Sequence, residues 1–230
     1  MIRNLILSGG IFHPFAETSA LLAGMLFVQG IDSEIVEIKA GLARLAAGET
    51  PEMLTVNALC WGMTQHDKYA PYRAEFAHSL SAAERAALRA HVTAGRPLLA
   101  MHTAPICFDD WPEWAALIGA GWVWGQSGHP APCPVDVTKG GWVEQPFTVE
   151  DELYGGLTLG ADSEVLASAR IGADAPQPVV VRRRTPGVRV IYDALGHDAR
   201  SFEHPQHRAL IARAAQWLTG HGEEASNEHA

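Results

Sequence analysis

A chain of 230 residues, 47% hydrophobic and 19% charged, is long and apolar enough for one α/β domain with a sizeable core. Its formal charge of -9 argues against a nucleic-acid partner, which needs a basic footprint to displace counterions. No apolar run reaches the roughly 18 residues of a membrane helix, and the first eight residues suit a strand better than a signal peptide, so a cytoplasmic setting with no membrane partner is expected.

Residues 2–7 read as a buried strand closed by Ser8-Gly9-Gly10. His13-Pro14-Phe15 follows, and residues 20–28 carry apolar side chains at helical spacing up to Gly30. Residues 34–38 alternate as a strand does, and residues 53–60 form another strand ending at Trp61-Gly62. Ser81-Ala82-Ala83-Glu84 is a capping box that opens a helix to about Ala94. Residues 97–101 make a short buried strand that turns sharply at His102, with the small residues Ala100 and Ala104 two positions to either side. That is the steric pattern of a nucleophile elbow, with an imidazole where Ser or Cys would stand.

Beyond the elbow, Asp109-Asp110-Trp111-Pro112 leads into a short helix through Ile118, followed by a Gly- and Trp-rich loop to Gly128. Strands are expected at 133–138, 164–170, 179–184 and 188–192, and a last helix at 205–218. The polar stretch 221–230 reads as a disordered tail behind a single domain of residues 1–220. Alternating strands and helices in the first hundred residues imply a parallel sheet with helices on both faces, and ligands of such sheets bind at the carboxyl ends of the strands. His13, Cys60-Trp61 and His102 all follow strand ends and would meet at that edge.

His102 is the leading candidate, because an elbow aims its side chain into the crevice. His197, in Gly196-His197-Asp198, follows another strand, and an imidazole titrates where a general acid or base must. In Asp151-Glu152-Leu153-Tyr154 a carboxylate beside an aromatic ring suits a sugar, but the plainer reading is the acidic first turn of a helix. His13, His102, His129, His197 and a carboxylate are zinc-type ligands. No HExxH or comparable spacing supports a metal centre, however, so zinc is held open while no metal ligand and no cofactor are assigned. Cys60, Cys107 and Cys133 are scattered, without a CxxC pair or a visible base, and read as structural.

Four segments carry a resemblance to a known family: Ala100-Met101-His102-Thr103-Ala104, Phe108-Asp109-Asp110-Trp111-Pro112-Glu113-Trp114, Val149-Glu150-Asp151-Glu152-Leu153-Tyr154, and Leu195-Gly196-His197-Asp198. On these the chain resembles the ThuA-like (trehalose utilisation) family, within the class I glutamine amidotransferase-like superfamily. The resemblance implies a flavodoxin-like three-layer α/β/α sandwich with a mostly parallel central sheet. It also implies that His102 replaces the superfamily's catalytic cysteine, so glutamine hydrolysis through a thioester is not expected. Sugars, disaccharides or their keto derivatives become the expected ligands. His102, Glu152 and His197 would line the pocket, with His129 and Tyr154 nearby. Relatives often carry a His-Pro-Ile-like segment before the Asp-Glu-Leu-Tyr block, where this chain has Gln145-Pro146-Phe147.

Acid/base catalysis by His102, His197 and Glu152 is the expectation, with His13, Trp61, Asp109, His129 and Tyr154 binding a small sugar-like substrate. A sugar-binding module without catalysis and a metal-assisted hydrolase built on the histidines are the alternatives. The habits of the fold suggest a homodimer.

Overall fold

The computed structural model describes residues 1–220, so the tail expected at 221–230 lies outside the described residues. In chain order the elements are β1 Ile2–Gly9, α1 Phe15–Val28, β2 Ile31–Glu37, α2 Ile38–Ala46, β3 Met53–Ala58, α3 Arg73–Phe76, α4 Ala82–Thr93, β4 Leu98–Met101 and α5 Glu113–Ile118. They continue as β5 Ala120–Gly121, β6 Cys133–Val137, β7 Phe147–Asp151, β8 Thr158–Leu159, β9 Ser163–Arg170, β10 Gln177–Arg183, β11 Val190–Asp193, α6 Ala199–Glu203 and α7 Pro205–Leu218.

Nine strands form one sheet in the order β2-β1-β3-β4-β11-β10-β9-β6-β7. The first five are parallel. The other four extend the sheet antiparallel. Helix α1 packs with α6 and α7 on one face, and α2 with α4 on the other. All six residues of β3 are buried because both faces of the sheet are covered. This is the expected three-layer α/β/α architecture.

Several boundaries moved for identifiable reasons. Helix α1 starts at Phe15, five residues before the apolar periodicity. Its first inward turn is polar: Ser19 Oγ meets Ser8 Oγ at 2.7 Å, and Asn57 Nδ2 donates to Thr18 and Ser19. The strand expected at 34–38 instead gives way at Ile38 to α2, which the sequence reading missed. The Glu37 side chain caps this helix by accepting from Ala40 N, and Gly41 lets it approach β1, since a Cβ there would lie 2.3 Å from a Leu7 methyl carbon. The capping box at Ser81 and Glu84 forms as expected.

Glu152 does not begin a helix. Asp151 ends β7, and a loop follows, which corrects the helical reading of that acidic run. β6 pairs with β9 only at Asp136↔Arg170 and Val137↔Ala169, the last residues of both strands. The β6–β7 ribbon therefore continues past the edge of β9 by three residues, about 10 Å at 3.3 Å per residue, to the Cys133↔Asp151 pair. Register shifts at Pro178, Val180 and Val181 interrupt the neighbouring β10–β9 ladder. The overhang brings Glu152 from the last strand of the sheet over the carboxyl ends of the parallel strands.

Candidate functional site

Four chain segments meet at that edge. His13 comes from the loop after β1, where Gly10 (φ +120°) passes so close to Leu59 that a Cβ would lie 2.3 Å from its carbonyl oxygen. His102 sits at the corner after β4 with φ +39°, a left-handed conformation that the elbow geometry requires of a non-glycine residue. Its N–H donates to Asp193 O at 2.6 Å, and Tyr192 Oη donates to its carbonyl at 3.0 Å. Glu152 arrives on the β6–β7 overhang, and His197 follows β11.

All four project their donor atoms to one point. His13 Nε2, His102 Nε2, His197 Nδ1 and one Glu152 carboxylate oxygen lie within 4.8 Å of one another, the one such group of metal-ligand type found among the described residues. Glu152 Oε2 is 3.6 Å from His13 Nε2, 3.5 Å from His102 Nε2 and 3.3 Å from His197 Nδ1. A fourth imidazole, His129, places Nδ1 at 3.3 Å from the same oxygen, but its side chain is 33% exposed and Nδ1 also reaches Pro130 O at 3.0 Å.

The protonation pattern follows from fixed acceptors. A carbonyl can only accept, so His102 Nδ1 carries the proton it donates to Ala194 O at 2.7 Å, which leaves Nε2 facing the carboxylate. Burial disfavours charge on Glu152, yet the rings of His102, His13 and His197 together hold its carboxyl well below the usual range. Burial pushes His13 down. At His197, burial also pulls down, but the neighbouring Glu152 outweighs it and the pKa rises.

A carboxylate beneath the centre holds two of the segments together. Asp151 is fully buried and accepts from Gly196 N at 2.7 Å, His197 N at 3.1 Å and Glu152 N at 2.8 Å. Below it, Asp193 Oδ1 accepts from Leu195 N, and Asp193 Oδ2 pairs with the buried His207 at 3.2 Å. Neither role was read from the sequence. A buried Asp one residue before Glu152 carries no local mark of the backbone donors, 45 and 46 positions away, that it satisfies.

The centre opens into a cavity of about 440 Å³ whose walls include Trp61, Trp122, Trp124, Tyr154, Tyr69 and Ile106. Eight of the thirteen buried side-chain polar atoms without a hydrogen-bond partner among the described residues belong to this region. They include Trp61 Nε1, Trp122 Nε1 and Tyr154 Oη beside the donor atoms of His13, His102, Glu152 and His197. Buried polar atoms are normally satisfied, so their concentration here singles this cavity out as the candidate site.

Seven of the eight sequence-assigned residues are brought together. Asp109 stands apart from the cavity wall: it accepts from Gly62 N at 2.7 Å and pairs with Gln65, tying down the loop after β3. The metal-ligand grouping, to which no residue was assigned on spacing, is present in space. Cys60 and Cys107 are buried, and burial pushes the Cys107 thiol up to about 12, which leaves it no nucleophilic character.

No helix among the described residues is long and apolar enough to cross a membrane. No curated protein matches the chain. Among solved structures, a protein named as ThuA-like from Parabacteroides merdae aligns with a TM-score of 0.73 at 15% identity, over 97% of this chain and 92% of that one. Another from Bacteroides uniformis gives 0.58 at 18% identity, over 94% and 91%. A β-galactosidase from Rahnella sp. R3 gives 0.59 at 13% identity, over 93% of this chain but 31% of the enzyme. At these identities the likeness speaks for the fold. Residues 59–218, the span that includes the elbow, Glu152 and His197 but not His13, match the family model described as trehalose utilisation, and the chain belongs to that ThuA family.

Proposed function

We propose that the chain is a carbohydrate-processing enzyme whose reacting centre is a divalent metal ion held by His13, His102, His197 and Glu152. The observation that carries this reading is the spacing of the donors. Ligand atoms about 2.1 Å from one tetrahedral ion lie about 3.4 Å apart, and Glu152 Oε2 stands 3.3–3.6 Å from three imidazole nitrogens. Those contacts are long for hydrogen bonds. With the His102 Nδ1 proton committed to Ala194 O, Nε2 and the carboxylate need either a second proton or a metal cation between them. Three imidazoles and a carboxylate suit zinc and its first-row neighbours.

An ion in this place would act as a Lewis acid toward a sugar oxygen. The surrounding residues then divide the remaining work. Trp61, Trp122 and Tyr154 orient the sugar through their free N–H and O–H groups and their ring faces. His129, stacked on Tyr154 at 5.0 Å and open to solvent, moves the proton between the centre and bulk water. Trehalose utilisation, the description attached to the family, supports a sugar as the ligand.

A second reading, acid/base chemistry by His102, His197 and Glu152 without an ion, is favoured by one observation: the raised His197 and the lowered Glu152 form an ion pair at 3.3 Å. Metal analysis of protein purified without chelator separates the two. About one equivalent of divalent metal per chain, lost in His13→Ala and His102→Ala variants that remain folded, is the expected result. Wild-type protein that takes up no zinc, cobalt, nickel or manganese from micromolar solutions overturns the metal reading and leaves proton transfer.

A further inference from the structure

Two large aromatic rings stand exposed at the mouth of the cavity. Phe12 is 53% exposed and Tyr72 is 40% exposed. Both line the cavity, yet neither joins the packed cluster of Phe15, Leu59, Trp61, Met63, Ile106 and Tyr154 beneath it. Phe12 also holds φ +74°, a costly backbone for a bulky side chain. The turn that directs His13 inward thus leaves Phe12 on the rim, where its ring meets Tyr72 edge-on at 5.6 Å and Tyr69 at 6.4 Å. A strained, exposed phenylalanine braced by two tyrosines gains nothing from the core. Its cost is offset when something apolar covers it.

The geometry points to an outer subsite, formed by Phe12 and Tyr72 with Tyr69 behind them, that stacks on the apolar face of a second sugar ring. Continuity fixes the occupant. One cavity runs from the buried Glu152 past Trp61 and Trp122 to the exposed pair, so a ring seated at the donors leads its substituent onto Phe12. Lys68, with Nζ 5.0 Å from the centre of the Tyr69 ring, is the lone cationic Lys or Arg side chain of the wall. The stacking pair itself, Phe12 and Tyr72, offers only ring faces, so the outer ring is bound by its apolar face and the substrate is a glycoside or disaccharide rather than a free monosaccharide.

This rests on the reading of the cavity as a sugar site, and the test separates the two. Trehalose, maltose, cellobiose, glucose and glucose 6-phosphate are titrated into metal-loaded wild type, Phe12→Ala and Tyr72→Ala, with calorimetry and the fluorescence of the wall tryptophans as readouts. Both positions are exposed, so the variants should melt within a degree or two of wild type. A disaccharide whose dissociation constant rises about tenfold in each variant, with glucose binding unchanged within twofold, is the expected result. Equal disaccharide affinity in all three proteins, equal weakening of glucose, or tighter binding of the phosphate overturns the subsite while leaving a sugar site in place. Wild type that binds none of the five overturns both.

Discussion

At the scale of single residues, the centre depends on groups that never reach a ligand. Asp151 gathers three backbone N–H groups from the two segments that carry Glu152 and His197. An amide in its place has one oxygen and one donor, so at least one N–H is lost and an N–H faces an N–H. Partners of this kind typically tune metal affinity 10–100-fold. Asp151→Asn is expected to fold and to weaken zinc binding by about that factor, read by competition against a chromophoric chelator. Unchanged affinity would remove Asp151 from the support of the centre. His207 makes a second prediction, this time of stability against pH. Burial alone would lower its pKa, but Asp193 at 3.2 Å prevails and raises it. A raised folded-state pKa contributes stability that is complete below the unfolded value of about 6.5 and fades as pH rises through the folded one. His207→Gln should therefore cost more in thermal melts at pH 6 than at pH 9, and an equal cost at both would show that the pair does not titrate.

At the scale of elements, the loop after β1 and the β6–β7 ribbon supply the two donors that the parallel strands β4 and β11 cannot. The loop works because Gly10 fits where no side chain does. Gly10→Ala places a Cβ 2.3 Å from Leu59 O on a backbone of φ +120°, so it should destabilise the fold by about 1–3 kcal/mol in urea titrations and displace His13. Helix α4 offers a control remote from the centre. Ser81→Ala removes half of the capping box and should cost about 1 kcal/mol with metal binding intact. Loss of metal affinity in the second variant, or its retention in the first, would contradict this division between the two elements.

At the scale of the whole molecule, binding at the centre is linked to folding, because its four donors come from positions 13, 102, 152 and 197 and meet only in the native chain. A ligand that binds the native state at a hundred times its dissociation constant adds about 2.7 kcal/mol, worth roughly 5–10 °C in a domain of this size. Zinc should raise the melting temperature by that order and a chelator should reverse it. A melting temperature indifferent to both would contradict a centre shared by four segments.

Local chemistry made much of this legible in the sequence. The alternation of strand and helix, the capping box at Ser81 and the small residues around His102 each act within a few positions, so the fold and the elbow could be read without coordinates. The strand ends that carry His13, Trp61, His102 and His197 followed from the rule that parallel sheets bind at their carboxyl edge. Tertiary structure alone decided the rest. The polar first turn of α1 is helical because Ser8 and Asn57 wait opposite it, and Asp151 ends a strand, with Glu152 just beyond it, because β6 pairs alongside as far as Cys133. The donor atoms show no ligand spacing along the chain because the sheet, with its overhanging ribbon, sets the distances between them, and separation in sequence places no bound on separation in space.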